Sequence, residues 1–297
     1  MRLKLITLCG VCLPLAAGCA LAGRRGPAPD DIAAARALSQ QGLAAVQAGQ
    51  WDQAETLLRK SVESSPADAV SRRYLAEALW RRDAFEDAIV QINAAVDADS
   101  KDAQLAVRAG EMLLATKSYE LAALRADQAI RVDSKLAAAW ALRGRAYLRM
   151  NQTERALADL QRALEYAPQD RDVLLDIAGI YQLIGQPTRR LTTLHQLMDT
   201  YPSGQKPQPL LLMEAMALKE LGRGRQATES LRAASQVGPP SADVLSQLAQ
   251  AHASMGEYDL ATHAAQQALE VDASHIASRE LLTRLTSPAA LSEPVLR

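Results

Sequence analysis

Aromatic residues are scarce in this chain. Phe, Trp and Tyr together make up 4% of its 297 residues, and only one is phenylalanine. β-Branched residues are also few beside alanine and leucine, which argues against a sheet and for helices. Cysteine is absent from the body of the chain: all three lie at Cys9, Cys12 and Cys19. A disulfide framework is thereby excluded for everything that follows them. Neither sign of charge dominates, since the net charge is -1. That excludes the basic face that a nucleic-acid partner requires. Motifs of common chemistry are missing too. No G-x-S-x-G, H-E-x-x-H or phosphate loop occurs, and His195, His252, His263 and His275 form no pair at metal-ligand spacing. "GRGR" (Gly222 to Arg225) and "NQT" (Asn151 to Thr153) read as turns between helices. No cofactor and no metal is expected.

What is present begins with an export signal. Arg2 and Lys4 precede an apolar run from Leu5 to Leu15, and "AAGCALA" follows. "CGVC" (Cys9 to Cys12) has redox spacing but lies inside the apolar run, without a strand-helix context. "LAAGC" resembles the lipobox of bacterial lipoproteins, in which the cysteine is lipidated and becomes the first mature residue. Ala17 and Gly18 fit that pattern; Ala16 departs from it, where the family prefers leucine. The resemblance implies a signal peptide over 1–18, a lipid on Cys19 and a cell-envelope membrane facing the periplasm. "ALA" (Ala20 to Ala22) offers an alternative, cleavage by ordinary signal peptidase and a soluble periplasmic protein. An uncleaved anchor is a third reading, weakened by Pro14 and by the shortness of the run. Removing 1–18 leaves 31 basic against 34 acidic residues, so membrane attachment would come from the lipid and not from charge.

Residues 19–32 read as a linker, with Asp30 or Asp31 available to cap the first helix. Beyond it the chain repeats itself. Small residues stand at Gly42, Ala76, Gly110, Gly144 and Ala178, each 34 after the last, and again at Ala215 and Ala249 after one step of 37. A second ladder runs through Ala54, Ala88, Ala122, Ala156, Ala227 and Ala261. A third runs through Ser61, Ala95, Ala129, Ala163, Ala234 and Ala268. Each unit holds two short helices joined by a polar turn, and small residues let the two cross closely. One such hairpin cannot bury its apolar face, whereas stacked hairpins share a core.

"AWALRGRAYLRMNQTERALADLQRALEYAP" (Ala139 to Pro168) carries Trp140, Gly144, Tyr147, Ala156, Leu160, Ala163 and Pro168. In that pattern the chain resembles the tetratricopeptide repeat family. The resemblance implies an all-α, right-handed superhelical solenoid of about seven repeats over 33–275: 35–68, 69–102, 103–136, 137–170, 171–204, 208–241 and 242–275. A capping helix over 276–286 and a disordered tail over 287–297 complete the expected organisation. The fifth repeat departs from the pattern. Arg190 and Leu197 replace its crossing small residues, and Gln205 to Pro207 are extra. The expectation is a looser crossing there, with a hinge as the alternative.

The resemblance also implies a function: a non-enzymatic scaffold that binds a protein or peptide in a concave groove. The alternative is an envelope enzyme with scattered catalytic groups. Phe85 shares its repeat position with Trp51, Tyr119 and Tyr258 and is expected in the core. Trp80 lies off that ladder, on the helix face of Arg73, Glu77, Trp80 and Arg81. Glu111, then Arg145, Leu148 and Arg149, continue the same face in the next two repeats. An aromatic among arginines is a hot-spot composition. Alternatively, Arg73, Glu77 and Arg81 pair along their own helix. Ser39 and Leu43 occupy the positions where clamp-type members of the family hold a ligand carboxylate, so that ligand is not expected.

Overall fold

The computed structural model describes residues 29–202 and 204–286. The expected signal peptide, Cys19 and the expected tail over 287–297 lie outside the described residues. Fifteen helices and no strand occur among those described. Seven hairpins follow one another: α1 (Pro29–Gln47) with α2 (Trp51–Ser64), α3 (Ala69–Arg81) with α4 (Phe85–Ala98), and α5 (Ala103–Ala115) with α6 (Tyr119–Val132). Next come α7 (Ala137–Arg149) with α8 (Thr153–Tyr166), and α9 (Arg171–Leu183) with α10 (Pro187–Met198). The last two are α11 (Gln208–Glu220) with α12 (Gly224–Ser235), and α13 (Ala242–Ser254) with α14 (Tyr258–Val271). A single helix, α15 (Ile276–Thr286), packs on α13 and α14. Since α1 begins at Pro29, the expected linker is helical over 29–32. Asp30 and Asp31 therefore lie inside the first turn and not before it. Proline suits that turn, because its missing N–H would have no partner there.

Local chemistry explains why each hairpin turns where it does. Asp68, Asp102, Asp170 and Ser241 cap α3, α5, α9 and α13 by accepting bonds from backbone N–H groups of the first turn. The first helix of every hairpin ends on a residue of positive φ, at Gly49, Asp83, Lys117, Asn151, Gly185, Gly222 and Gly256. The next residue then donates its N–H back to a carbonyl five residues earlier, as from Ala84 to Leu79 and from Gln152 to Tyr147. This is the six-to-one bond of a Schellman ending. It recurs at all seven turns, so each polar turn has one geometry and each second helix starts in one direction.

Packing follows from the small residues. A Cβ on Gly144 would stand 2.8 Å from Leu160 Cγ and 3.1 Å from the Ala156 carbonyl oxygen. At Gly110 it would stand 2.4 Å from Leu142 Cδ2. Helices α7 and α8 therefore touch through backbone at their crossing. The buried clusters run through successive hairpins, with Ile92 and Met112 in one, Leu160 and Ile177 in the next, and Leu194 and Leu218 beyond. The two sides of the stack differ. First helices pack on one another directly, α1 on α3, α5 on α7 and α13 on α15, whereas each second helix packs mainly on the first helices beside it in sequence. The stack closes on the first-helix side, which becomes its inner surface.

The fifth hairpin is built differently. Arg190 is only 2% exposed, and it donates to Glu220 on α11 at 3.2 Å. Leu197 is buried beside it. These two bulky side chains wedge α9 from α10, and the pair shares less close backbone packing than any other of the seven hairpins. Arg190 Nε and the neighbouring Gln186 Oε1 are buried without hydrogen-bond partners.

Candidate functional site

The inner surface collects the last turns of the first helices. Positions 34 residues apart place Val46, Trp80, Leu114 and Leu148 in one lane, and each is partly exposed. Trp80 packs between the core of the first two hairpins and that of the next two, which leaves one edge open. Its ring meets Phe85 edge-on, with centroids 4.7 Å apart and planes at 64°. The expectation that Phe85 lies in the core is corrected: it is 38% exposed, more open than Trp80. The reason is its place as the first residue of α4, where the chain has just left the turn. A side chain there reaches only the rim of the hairpin. Tyr258, at the equivalent place in the last hairpin, is likewise exposed. Trp80→Ala should therefore cost more stability than Phe85→Ala, about 2 kcal/mol against about 1, both below the 3–5 kcal/mol of a fully buried aromatic. Urea unfolding of the two variants checks this ranking, and equal midpoints would contradict it.

Arg73, Glu77 and Arg81 do not pair along their own helix. Glu77 accepts two bonds from Arg108, at 2.6 and 2.7 Å, and Arg108 also donates to Glu111 at 3.1 Å. The Glu77 hydrogen bond is the largest influence on Arg108 and raises its pKa, against the opposing effect of burial. Arg145 donates to Asp176 at 2.6 Å. Both bridges join a first helix to the next one, α3 to α5 and α7 to α9. Arg108 and Asp176 are functional neighbours that inspection of one face at a time overlooks. A signal for them does exist: Glu77 to Arg108 and Arg145 to Asp176 are both 31 residues apart, with the charges exchanged. Arg73, Arg81 and Arg149 are not brought into this network. Arg73 lies 5.7 Å from the centre of the Tyr74 ring and Arg81 5.6 Å from that of Trp51. Arg149 is exposed at the end of α7, and Leu148 packs partly on the cluster below it.

Three further inner-face residues escape a reading of the first four repeats alone. Leu175 and Leu183 on α9 are 43% and 68% exposed. Gly179 lies between them on the same face, and a Cβ built there meets nothing within 4 Å. Helix α9 thus offers two exposed leucines either side of a gap, on a face that also carries Asp172 and the Arg145-bound Asp176. No cluster of three or more His, Cys, Asp and Glu side chains suited to a metal ion occurs among the described residues. No helix among them is long and apolar enough to cross a membrane.

The structure is therefore a helical-hairpin repeat array with partly exposed apolar side chains on its first-helix side. Models of the tetratricopeptide repeat match residues 39–103, 137–170 and 242–275. The chain belongs to the tetratricopeptide repeat family, whose function class is the protein-interaction scaffold. No curated protein sequence matches it. Among solved structures it is similar to the C-terminal part of a repeat protein from Cytophaga hutchinsonii, at 12% identity and a TM-score of 0.71, over 82% of this chain and 99% of that one. A tetratricopeptide repeat protein from Parabacteroides merdae matches at 16% identity and a TM-score of 0.59, over 86% and 100%. YrrB, described as having an unusual peptide-binding site, matches at 18% identity and a TM-score of 0.56, over 64% and 96%. At these identities the likeness is one of fold.

Proposed function

We propose that the chain is an adaptor of a bacterial cell envelope, tethered by a lipid on Cys19, that holds a segment of another protein along its inner surface without catalysing a reaction. One observation carries this reading. Val46, Trp80, Leu114 and Leu148 form a lane of apolar side chains that the fold leaves partly uncovered in four successive hairpins. Burying such a lane on binding releases water from apolar surface, at roughly 25 cal/mol per Å². An extended or helical segment fits a lane of this kind better than a compact ligand does. That YrrB, a protein of the same fold, has a peptide-binding site is compatible with it. Assistance in assembling an envelope complex, such as a pilus or secretion pore, follows from the plan of a tethered adaptor. The test places a photo-crosslinking residue at Leu114 and, as control, at the exposed Tyr258 of α14. Irradiation of intact cells should yield a discrete adduct from the first position only. Equal adducts from both positions would remove the inner surface as the site.

The tether rests on the sequence "LAAGC". Cys19→Ser should abolish incorporation of labelled fatty acid and move the protein out of the detergent phase. Unchanged labelling would point instead to cleavage after Ala22.

A further inference from the structure

On the outer, second-helix side of the stack a trough runs between α4 and α6. Its turn end is lined by Asp83, Phe85, Glu86, Asp87, Ile89 and Thr116. Further along it is lined by Leu121, Leu124, Arg125 and Arg131, over the buried Leu113 of α5. Phe85, Leu121 and Leu124 are 38%, 52% and 59% exposed, so apolar surface lies open along its length. The charges are sorted by end. Asp83, Glu86 and Asp87 form no ion pair among the described residues. At the other end Arg125 donates to Asn93 at 2.9 Å and stands 3.7 Å from Asp97, while Arg131 has no ion pair among the described residues.

The repeat register shows what the turn end lacks. At the preceding junction Arg82 holds Asp52 at 2.8 Å, and also Glu55, both on α2. One repeat later Thr116 stands in place of Arg82, Glu86 in place of Asp52 and Ile89 in place of Glu55. The Thr116 hydroxyl donates to the Met112 and Leu113 carbonyls, at 3.1 Å each, and offers Glu86 nothing. The helix dipole does not account for the acids, because a single acid in the first turn serves α2, α6, α8 and α14. Neither neighbouring trough combines the same features. On the α2 side the acids are bound by Arg82. On the α8 side Met150 takes the place of Arg82 and packs in an apolar cluster, and Arg155 and Ala158 stand where α6 has Leu121 and Leu124.

We propose that this trough docks an amphipathic helix of a partner protein, which supplies the cation that Thr116 does not. Its basic last turn lies at Asp83, Glu86 and Asp87, its apolar stripe against Phe85, Leu121 and Leu124, and its acidic first turn at Arg125 and Arg131. Acids in the first turn and bases in the last are also what the dipole of the docked helix favours. The docked helix therefore runs antiparallel to α4 and α6. From Ser118 to Arg131 the wall of the trough is about 20 Å long at 1.5 Å per residue, which three to four turns of helix cover. This surface is separate from the inner lane of Trp80, Leu114 and Leu148, so an array with both can hold two segments at once.

A phage library of sixteen-residue peptides, with leucines fixed at helical spacing and both ends random, tests this by panning against the full-length protein in detergent. Enrichment of Arg and Lys in the last turn and of Asp and Glu in the first is expected. The best peptide should bind Leu124→Glu at least tenfold more weakly. Thr116→Arg sets a guanidinium where Arg82 stands one repeat earlier, so it should bind the peptide at least fivefold more weakly while melting no lower than the wild type. Leu183→Lys, on the inner surface, should change binding less than twofold. Leu124 is exposed, so its variant should melt with the wild type; Leu124→Ser, with a smaller loss of binding, serves if it does not. Enrichment of the opposite charge order, or of no peptide, would overturn the proposal. So would a peptide that binds Leu124→Glu and Thr116→Arg as it binds the wild type, or one that is lost instead with Leu183→Lys. None of these outcomes bears on the adduct expected from Leu114.

Discussion

Gly144→Leu should lower the melting temperature of the whole array, not only of its fourth hairpin. The Cβ alone would stand 2.8 Å from Leu160 Cγ and 3.1 Å from the Ala156 carbonyl oxygen. The second contact is with backbone, which cannot rotate away. Three further carbons must then find room where α7 and α8 already touch. Overpacking of a core crossing costs about 1–3 kcal/mol, and more where the backbone must move. In an array each hairpin is stabilised by its neighbours, so a weakened fourth hairpin weakens the third and the fifth. A shift of about 2–4 °C per kcal/mol is expected for a domain of this size. Gly179 supplies the contrast. It too lies within a helix, but a Cβ there meets nothing within 4 Å. Gly179→Ala should therefore stabilise by about 0.5–1 kcal/mol, the usual gain on removing glycine from a helix interior. Calorimetry of both variants checks the pair. Unchanged melting of Gly144→Leu would show that α7 and α8 do not cross at this residue.

That opposition also shows what can be read from a sequence of this kind. The 34-residue ladder through Gly42, Ala76, Gly110 and Gly144 is legible because helix crossing admits only small side chains, and the all-α fold follows from it. The face of Arg73, Glu77, Trp80 and Arg81 is legible as well, since helical spacing alone puts those residues together. Which of them are spent on the fold is not legible from one helix. Glu77 is bound by Arg108 and Arg145 by Asp176, across a step of 31 residues that no single helix displays. Phe85 failed for another reason. Sharing a ladder with Trp51 and Tyr119 fixes its place in the repeat, but the first residue after a turn sits at the rim, where burial depends on what the next hairpin covers. Arg190 ran against its ladder and is nevertheless buried, because Glu220 on α11 meets it from the next hairpin.

The second large effect is expected at Arg143. It lies one residue before Gly144 on α7, and it binds Asp159 on α8 through two bonds of 2.7 and 2.8 Å. It also binds Asp127 on α6, and its guanidinium lies 4.8 Å from the centre of the Trp140 ring. One side chain thus ties three helices and two hairpins. The Asp159 hydrogen bonds raise the Arg143 pKa, outweighing the burial that opposes its charge. Arg143→Leu would leave the Asp159 carboxylate, whose side chain is 10% exposed, without its cation. Removing one partner of a buried pair costs about 3–5 kcal/mol, because the remaining charge stays desolvated. Asp127 is 31% exposed and can turn to water, so the lower end of that range is expected. Arg143→Lys keeps the charge but cannot make the paired bonds to Asp159, and should fall between the variant and the wild type. The triple replacement Asp127→Leu/Arg143→Leu/Asp159→Leu removes every charge together and should recover most of the loss, as burial of apolar groups of similar size does elsewhere. Urea unfolding of the four proteins measures this directly. A loss below about 1 kcal/mol for Arg143→Leu would mean that water already reaches the pair, in the range of a surface salt bridge. The coupling of the third and fourth hairpins would then rest on apolar packing, with Ala126, Ala139 and Leu142 in one cluster at that junction and Leu113, Ala122 and Ala146 in another.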